Sequence, residues 1–136
     1  MAIIDEIIRM EEDGAISFGD YLAEEKKKRD NFEAEGSQYK IKTHNEITRL
    51  EKNGKLFLET VPGAAVHNML FAEEKLTFGL EGAEDTRITV ELEPDCLYRV
   101  VIEGESIGNV KSNISGKVIF SLDLDENIKR IEIIKA

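Results

Sequence analysis

RITVELEPDCLYRVVIEGESIGNVKSNISGKVIFSLDLDENIKRIEIIK, residues Arg87 to Lys135, decides the fold class. Apolar residues fall on every second position in run after run: Ile88, Val90 and Leu92; Tyr98, Val100 and Ile102; Val118, Phe120, Leu122 and Leu124; Ile131 and Ile133. A period of two is the signature of a half-buried strand. Turn residues separate the runs at Pro94-Asp95, Gly104-Glu105 and Ser115-Gly116. Gly104-Glu105 reads as a two-residue turn that sets Ile102 opposite Ile107. The pattern is that of a β-meander or sandwich.

The reading extends upstream. Leu76, Phe78 and Leu80 alternate, and Ala65 to Leu70 form one further strand, so residues 63–136 are predicted to build a sandwich. The predicted core is Leu76, Phe78, Leu80, Ile88, Val90, Leu92, Val100, Ile102, Val118, Phe120, Leu122, Ile131 and Ile133. Pro62-Gly63 breaks the chain and marks either a boundary or a crossover between sheets. Residues 15–62 form a β-hairpin region, continuous with the sandwich if 62–63 is a crossover. Its best signal is Asn53-Gly54, a type I′ hairpin turn that sets Leu50 opposite Phe57. The run Glu24 to Arg29 reads as a solvated loop or short helix, and the acidic residues on both sides argue against a phosphate-binding role for Lys26–Lys28.

Residues 1–14 are predicted to hold a short amphipathic helix ended by Gly14. Ile3, Ile4, Ile7, Ile8 and Met10 share one face. Acidic Glu11, Glu12 and Asp13 oppose the helix dipole at its C-terminal end, so the helix needs a surface to pack on. That surface is the chain's own sandwich or a second subunit; four isoleucines are a large apolar load for a terminal segment.

Composition narrows the function classes. The chain has 136 residues, 41% hydrophobic and 34% charged, with a formal net charge of −10. An acidic surface repels phosphate backbones, so neither nucleic acid nor an anionic membrane is an expected partner. The single cysteine, Cys96, excludes an internal disulfide and is expected to act as a small buried hydrophobe. No signal peptide and no apolar run of about 18 residues is read, so a cytoplasmic protein is expected.

No constellation of residues stands out as catalytic, cofactor-binding or metal-binding. His44 and His67 are the only histidines, and neither accompanies a Gly-x-Ser-x-Gly elbow. The six arginines are scattered, and there is no tryptophan on which a sugar ring could stack. Asp123-x-Asp125-x-Asn127 begins like a calcium loop but lacks the glycine and the distal glutamate, and reads as an acidic turn.

Leu92-x-Pro94-x-x-x-Tyr98-x-Val100 resembles the tyrosine corner of immunoglobulin-like and fibronectin type III sandwiches. The resemblance implies an immunoglobulin-like β-sandwich in which the Tyr98 hydroxyl bonds to backbone just upstream, with Pro94 and Tyr98 as structural residues. Three strands follow the corner here, where fibronectin type III has one. The stretch also resembles small sandwich modules appended to carbohydrate-active enzymes, which implies a carbohydrate-binding or accessory role. The whole chain resembles short uncharacterised bacterial proteins labelled endosialidase, which implies hydrolysis of polysialic acid. The residues themselves point to a non-enzymatic protein-interaction or self-assembly module, a homo-oligomer formed through the Ile3–Met10 face.

Overall fold

The computed structural model describes residues 4–72 and 74–136, with Asp5 described by its backbone alone. The described residues are all-β. Two antiparallel sheets face each other in a sandwich. Thirteen strands run β1 (Ile8–Met10), β2 (Ile16–Phe18), β3 (Lys27–Ala34), β4 (Ser37–Thr43), β5 (Thr48–Lys52), β6 (Lys55–Val61), β7 (Ala64–Ala72), β8 (Lys75–Gly82), β9 (Asp85–Glu91), β10 (Leu97–Ile102), β11 (Glu105–Lys111), β12 (Lys117–Asp123) and β13 (Lys129–Lys135). The first sheet has the order β1-β2-β7-β8-β13-β10-β11 and the second β12-β9-β6-β5-β4-β3.

Ten of the thirteen predicted core residues are buried, and Leu92, Ile102 and Leu122 pack partly buried against them. The alternation reads out directly: inward Leu76, Phe78 and Leu80 alternate with outward Thr77, Gly79 and Glu81 along β8. Pro62-Gly63 lies where β6 of the second sheet gives way to β7 of the first. It is a crossover: β2 pairs with β7 and β6 with β9, so residues on both sides of it share both sheets.

The N-terminal helix is not formed. Asp5–Ile7 makes one 3-10 turn, with Glu6 and Ile7 at positive φ, and Ile8–Met10 is a strand paired with Ile16–Phe18. A helix of this length is marginal alone, and its acidic last turn weakens it further. Gly14, at φ 87°, turns a hairpin rather than ending a helix; its N–H bonds the Glu11 carbonyl. The Glu24–Arg29 run also differs from expectation, because Lys27 to Arg29 open β3 against Thr43 to Ile41.

One predicted turn forms in place with its register slipping further along the strands, and another forms one residue early. At Asn53-Gly54 both residues have positive φ, as a type I′ turn requires, but a bulge sets Leu50 opposite Leu58. That register puts two buried leucines face to face. At the other turn, Glu103 and Gly104 are the central pair, both at positive φ, so Ile102 meets Glu105 and Ile107 stays exposed.

The two ends of the sandwich differ. At the end that carries the β4–β5 turn and the β6–β7 crossover, Thr43 Oγ1 accepts the Asp20 N–H and bonds Thr48 Oγ1 at 2.8 Å. Thr48 Oγ1 donates to the Ala64 carbonyl and accepts the Ala64 N–H, at 2.8 and 3.1 Å. Both threonines are buried. Beside them, a Cβ on Gly63 would stand 2.0 Å from the His44 carbonyl oxygen, so only glycine allows that approach. The opposite end holds the β7–β8 hairpin and the turn around Pro94, and it is open.

Candidate functional site

The open end is shaped by three strand termini. β7 delivers Leu70 and Phe71, the first turn-side residues of β8 include Leu76, and the last residues of β13 include Ile133 and Lys135. Across the gap between the sheets, β9 runs out into Leu92 and Glu93. Phe71 is 50% exposed, an unusual position for a large aromatic with no polar tip. It lines two recesses. One, of about 170 Å3, is walled by Leu76, Leu92, Tyr98 and Ile133 and rimmed by Glu74, Glu91, Glu93 and Lys135. The other, of about 130 Å3, is walled by Ile16, Phe57, Met69 and Leu70 with Glu35 and Lys52 at its mouth.

The turn beneath the first recess is fixed by two side chains. The Tyr98 hydroxyl accepts the Glu93 N–H at 3.0 Å, which is the upstream bond that the resemblance to a tyrosine corner implies. Burial raises the phenol above its ordinary value, partly offset by that bond. Ser112 was not singled out in the sequence, yet its buried hydroxyl donates to the Glu93 carbonyl at 2.6 Å and accepts the Cys96 N–H at 2.9 Å. No local pattern marks Ser112, because its partners lie 16 and 19 residues away. Cys96 is partly buried against the core. Pro94-Asp95 turns the chain with Asp95 at φ 52°. On the rim, Lys135 Nζ bonds Glu93, which holds that carboxyl below its ordinary value and raises the lysine.

The residues expected to form an intersubunit face lie elsewhere. Ile4, Ile7 and Ile8 are buried within the chain, and Ile3 lies outside the described residues. Ile7 and Ile8 join the main core; Ile4 packs with Tyr21 and Ala65 on the outside of the first sheet. Met10 alone stays half-exposed. The expected assembly face is therefore largely spent on the fold itself, because β1 is an edge strand whose apolar side packs into the core between the two sheets.

One titratable cluster sits on the outside of the first sheet. Glu81 accepts the Tyr21 hydroxyl at 2.9 Å through one oxygen and bonds His67 Nε2 at 2.7 Å through the other. Burial first, then the Glu81 carboxylate, pushes the Tyr21 phenol up to about 12. Both carboxylate oxygens of Glu81 are occupied, so the cluster acts as a latch that ties the β2–β3 loop to β7 and β8. His44 makes a turn, its N–H bonding the Ile47 carbonyl. Asp125 Oδ1 accepts the Asn127 N–H at 2.8 Å, so this acidic loop is braced by its own side chain. Among the described residues no group of three or more His, Cys, Asp or Glu could hold a metal ion, and no helix is long and apolar enough to cross a membrane.

Comparison with protein-family models, curated proteins and solved structures returned no match to this chain.

Proposed function

We propose that the protein is a non-enzymatic protein-interaction module, and that its ligand is an apolar side chain of a partner polypeptide flanked by lysine or arginine. The observation that carries this reading is Phe71, half-exposed between two apolar recesses at the open end. A recess of about 170 Å3 is well below the roughly 300–1,000 Å3 of a small-molecule site, and is of the size one side chain fills. Its rim carries Glu74, Glu91 and Glu93 against the single cation Lys135, so a basic neighbour on the partner is electrostatically matched. A second copy presenting the same acidic end would be repelled. The setting, a bacterial cytoplasmic protein, rests on the sequence alone.

Panning a random peptide library against the protein tests the reading. Recovered peptides should share an aromatic or aliphatic residue beside Lys or Arg, and should lose binding to a Phe71→Ser variant. Peptides that bind the variant equally well would sink it. A dimer in solution that dissociates in Phe71→Ser would replace the partner polypeptide with self-assembly.

Carbohydrate binding is the second reading. It is favoured by a shallow polar recess lined by Asp30, Asn31, Gln38, Lys40, Glu51 and Asn53, side chains suited to sugar hydroxyls. Tyr39 lies buried beneath it and offers no exposed ring for stacking. The endosialidase-type reading rests on the resemblance alone.

A further inference from the structure

The outer face of the second sheet carries a basic patch that the composition gives no reason to expect. Cross-strand register builds it. Lys28 on β3 stands opposite Lys42 on β4, and Lys42 stands opposite Arg49 on β5. Neighbouring strands are roughly 4.8 Å apart, so three cations lie in one row across three strands. Lys40, two residues before Lys42, projects from the same face. Directly opposed like charges destabilise a sheet. Here that arrangement occurs twice in succession, in a chain of net charge −10 that has acidic residues to spare.

The counter-charges do not resolve it. Arg49 is held by Glu59 at 2.7 Å and by Glu51 at 3.6 Å. Among the described residues, Lys28, Lys40 and Lys42 make no ion pair. Lys28, Lys40, Lys42, Arg49 and Glu51 together line a small concavity of about 100 Å3. Three lysines line it beside a guanidinium held by two carboxylates, one of which, Glu51, stands opposite Lys40.

We propose that this concavity is a binding site for a compact dianionic oxyanion, a phosphomonoester or sulfate group, held by Lys28, Lys40 and Lys42. An oxyanion between them would turn the repulsive Lys28–Lys42 pair into charge-assisted hydrogen bonds and screen Lys42 from Arg49. The ligand is compact rather than a long polyanion because the patch is local. The row ends at Glu59, which faces Thr89 on the next strand, and the chain as a whole carries a net charge of −10.

Thermal unfolding in inorganic phosphate, with sodium chloride at matched ionic strength as reference, tests the proposal. Phosphate and sulfate stabilise proteins generally through exclusion from their surfaces, so the decisive comparison is with Lys40→Gln/Lys42→Gln. The wild type should show a saturable rise in Tm that the double variant loses, and each single variant should bind phosphate about tenfold more weakly. In chloride, the double variant should melt no lower than the wild type, since it relieves the like-charge pairs. A phosphate effect that survives the double variant, or one equal to chloride in the wild type, overturns the site. Amide shifts on phosphate titration should centre on Lys28, Lys40 and Lys42; shifts centred elsewhere also overturn it. A heparin-type polyanion that binds far more tightly than phosphate overturns the compact ligand. Where phosphate binds, competition by a phosphoserine peptide or by a sugar phosphate tells a modified protein from a small metabolite as the source of the group.

Discussion

The two ends of this sandwich are built from the same strands and solve opposite problems. At the closed end Thr43 and Thr48 satisfy backbone groups inside the gap between the sheets, and Gly63 lets two backbones touch. At the open end the gap is left partly unfilled, with Phe71 exposed beside it. The closed end spends polar side chains on order, whereas the open end leaves apolar surface in water. Unfilled apolar surface lowers stability unless something covers it. The contrast is therefore best explained by division of labour, with one end holding the fold and the other meeting a partner.

The contrast breaks first, and most severely, at Gly63. Gly63→Ala drives a Cβ into the His44 carbonyl oxygen, and both groups are backbone, so neither can swing away. We expect a loss of roughly 3 kcal/mol, the upper part of the range for forced overpacking. Urea unfolding measures it directly, and a loss below about 1 kcal/mol would show that the closed end is looser than drawn.

The threonines give a sharper test because a control lies next to them. Thr48→Val keeps the shape and leaves the Ala64 N–H without its acceptor, at an expected cost of about 1–3 kcal/mol. Thr60 pairs with Thr48 in register, is equally buried, and its hydroxyl has no hydrogen-bond partner among the described residues. Thr60→Val should therefore be neutral or stabilising. Equal losses from the two substitutions would mean that shape, and not the hydrogen-bond network, secures this end.

At the open end the expected pattern reverses. Phe71→Ser should cost only about 1 kcal/mol, because half of the ring is already in water in the free protein, yet it should abolish peptide capture. A stability loss above about 2 kcal/mol would make Phe71 a core residue and remove the basis for the proposed function.

How much of this was legible in the sequence follows from chain distance. Residues on long alternating strands were readable: Ile88 and Val90 on β9, or Val118 and Phe120 on β12, announce their inward face by period alone. Ile4, Ile7 and Ile8 were visibly apolar, but their spacing fits a helix face as well as a short strand, and pairing with Ile16–Phe18 decided between them. A three-residue strand has no period to read. The partner of Leu50 was off by one because a bulge leaves no mark in the sequence until the facing strand is known, and the partner of Ile102 was off by two because the turn centres on Glu103-Gly104, one residue early. The same limit hid the candidate sites. Phe71 looks like any strand phenylalanine, and Lys28 becomes part of a patch only when Lys42 and Arg49 come into register with it.

The smallest expected effect separates the two ends by pH. The threonine hydroxyls do not titrate, and the one carboxylate beside them, buried Asp20, is held by Lys27 and the Leu22 N–H, so this end should resist acid longer. Near the open end, three carboxylates are held below the ordinary value of 4.5: Glu11 by Ser17 and Arg9, Glu93 by Lys135, and Glu132 by Lys75. A carboxylate with a depressed folded value contributes stability that is present above 4.5 and is lost as pH falls through the folded value. The molecule should therefore weaken below about pH 4.5, through the open end first. Between pH 5 and 3, amide protection relative to the intrinsic exchange rate should fall around Glu11, Glu93 and Glu132 before it does around Thr43, Thr48 and Ala64. In Lys135→Met the acid slope of stability should flatten slightly, since Glu93 then titrates alike in both states. A uniform loss of protection at both ends would show that the sandwich opens as one unit and that its ends are not energetically distinct.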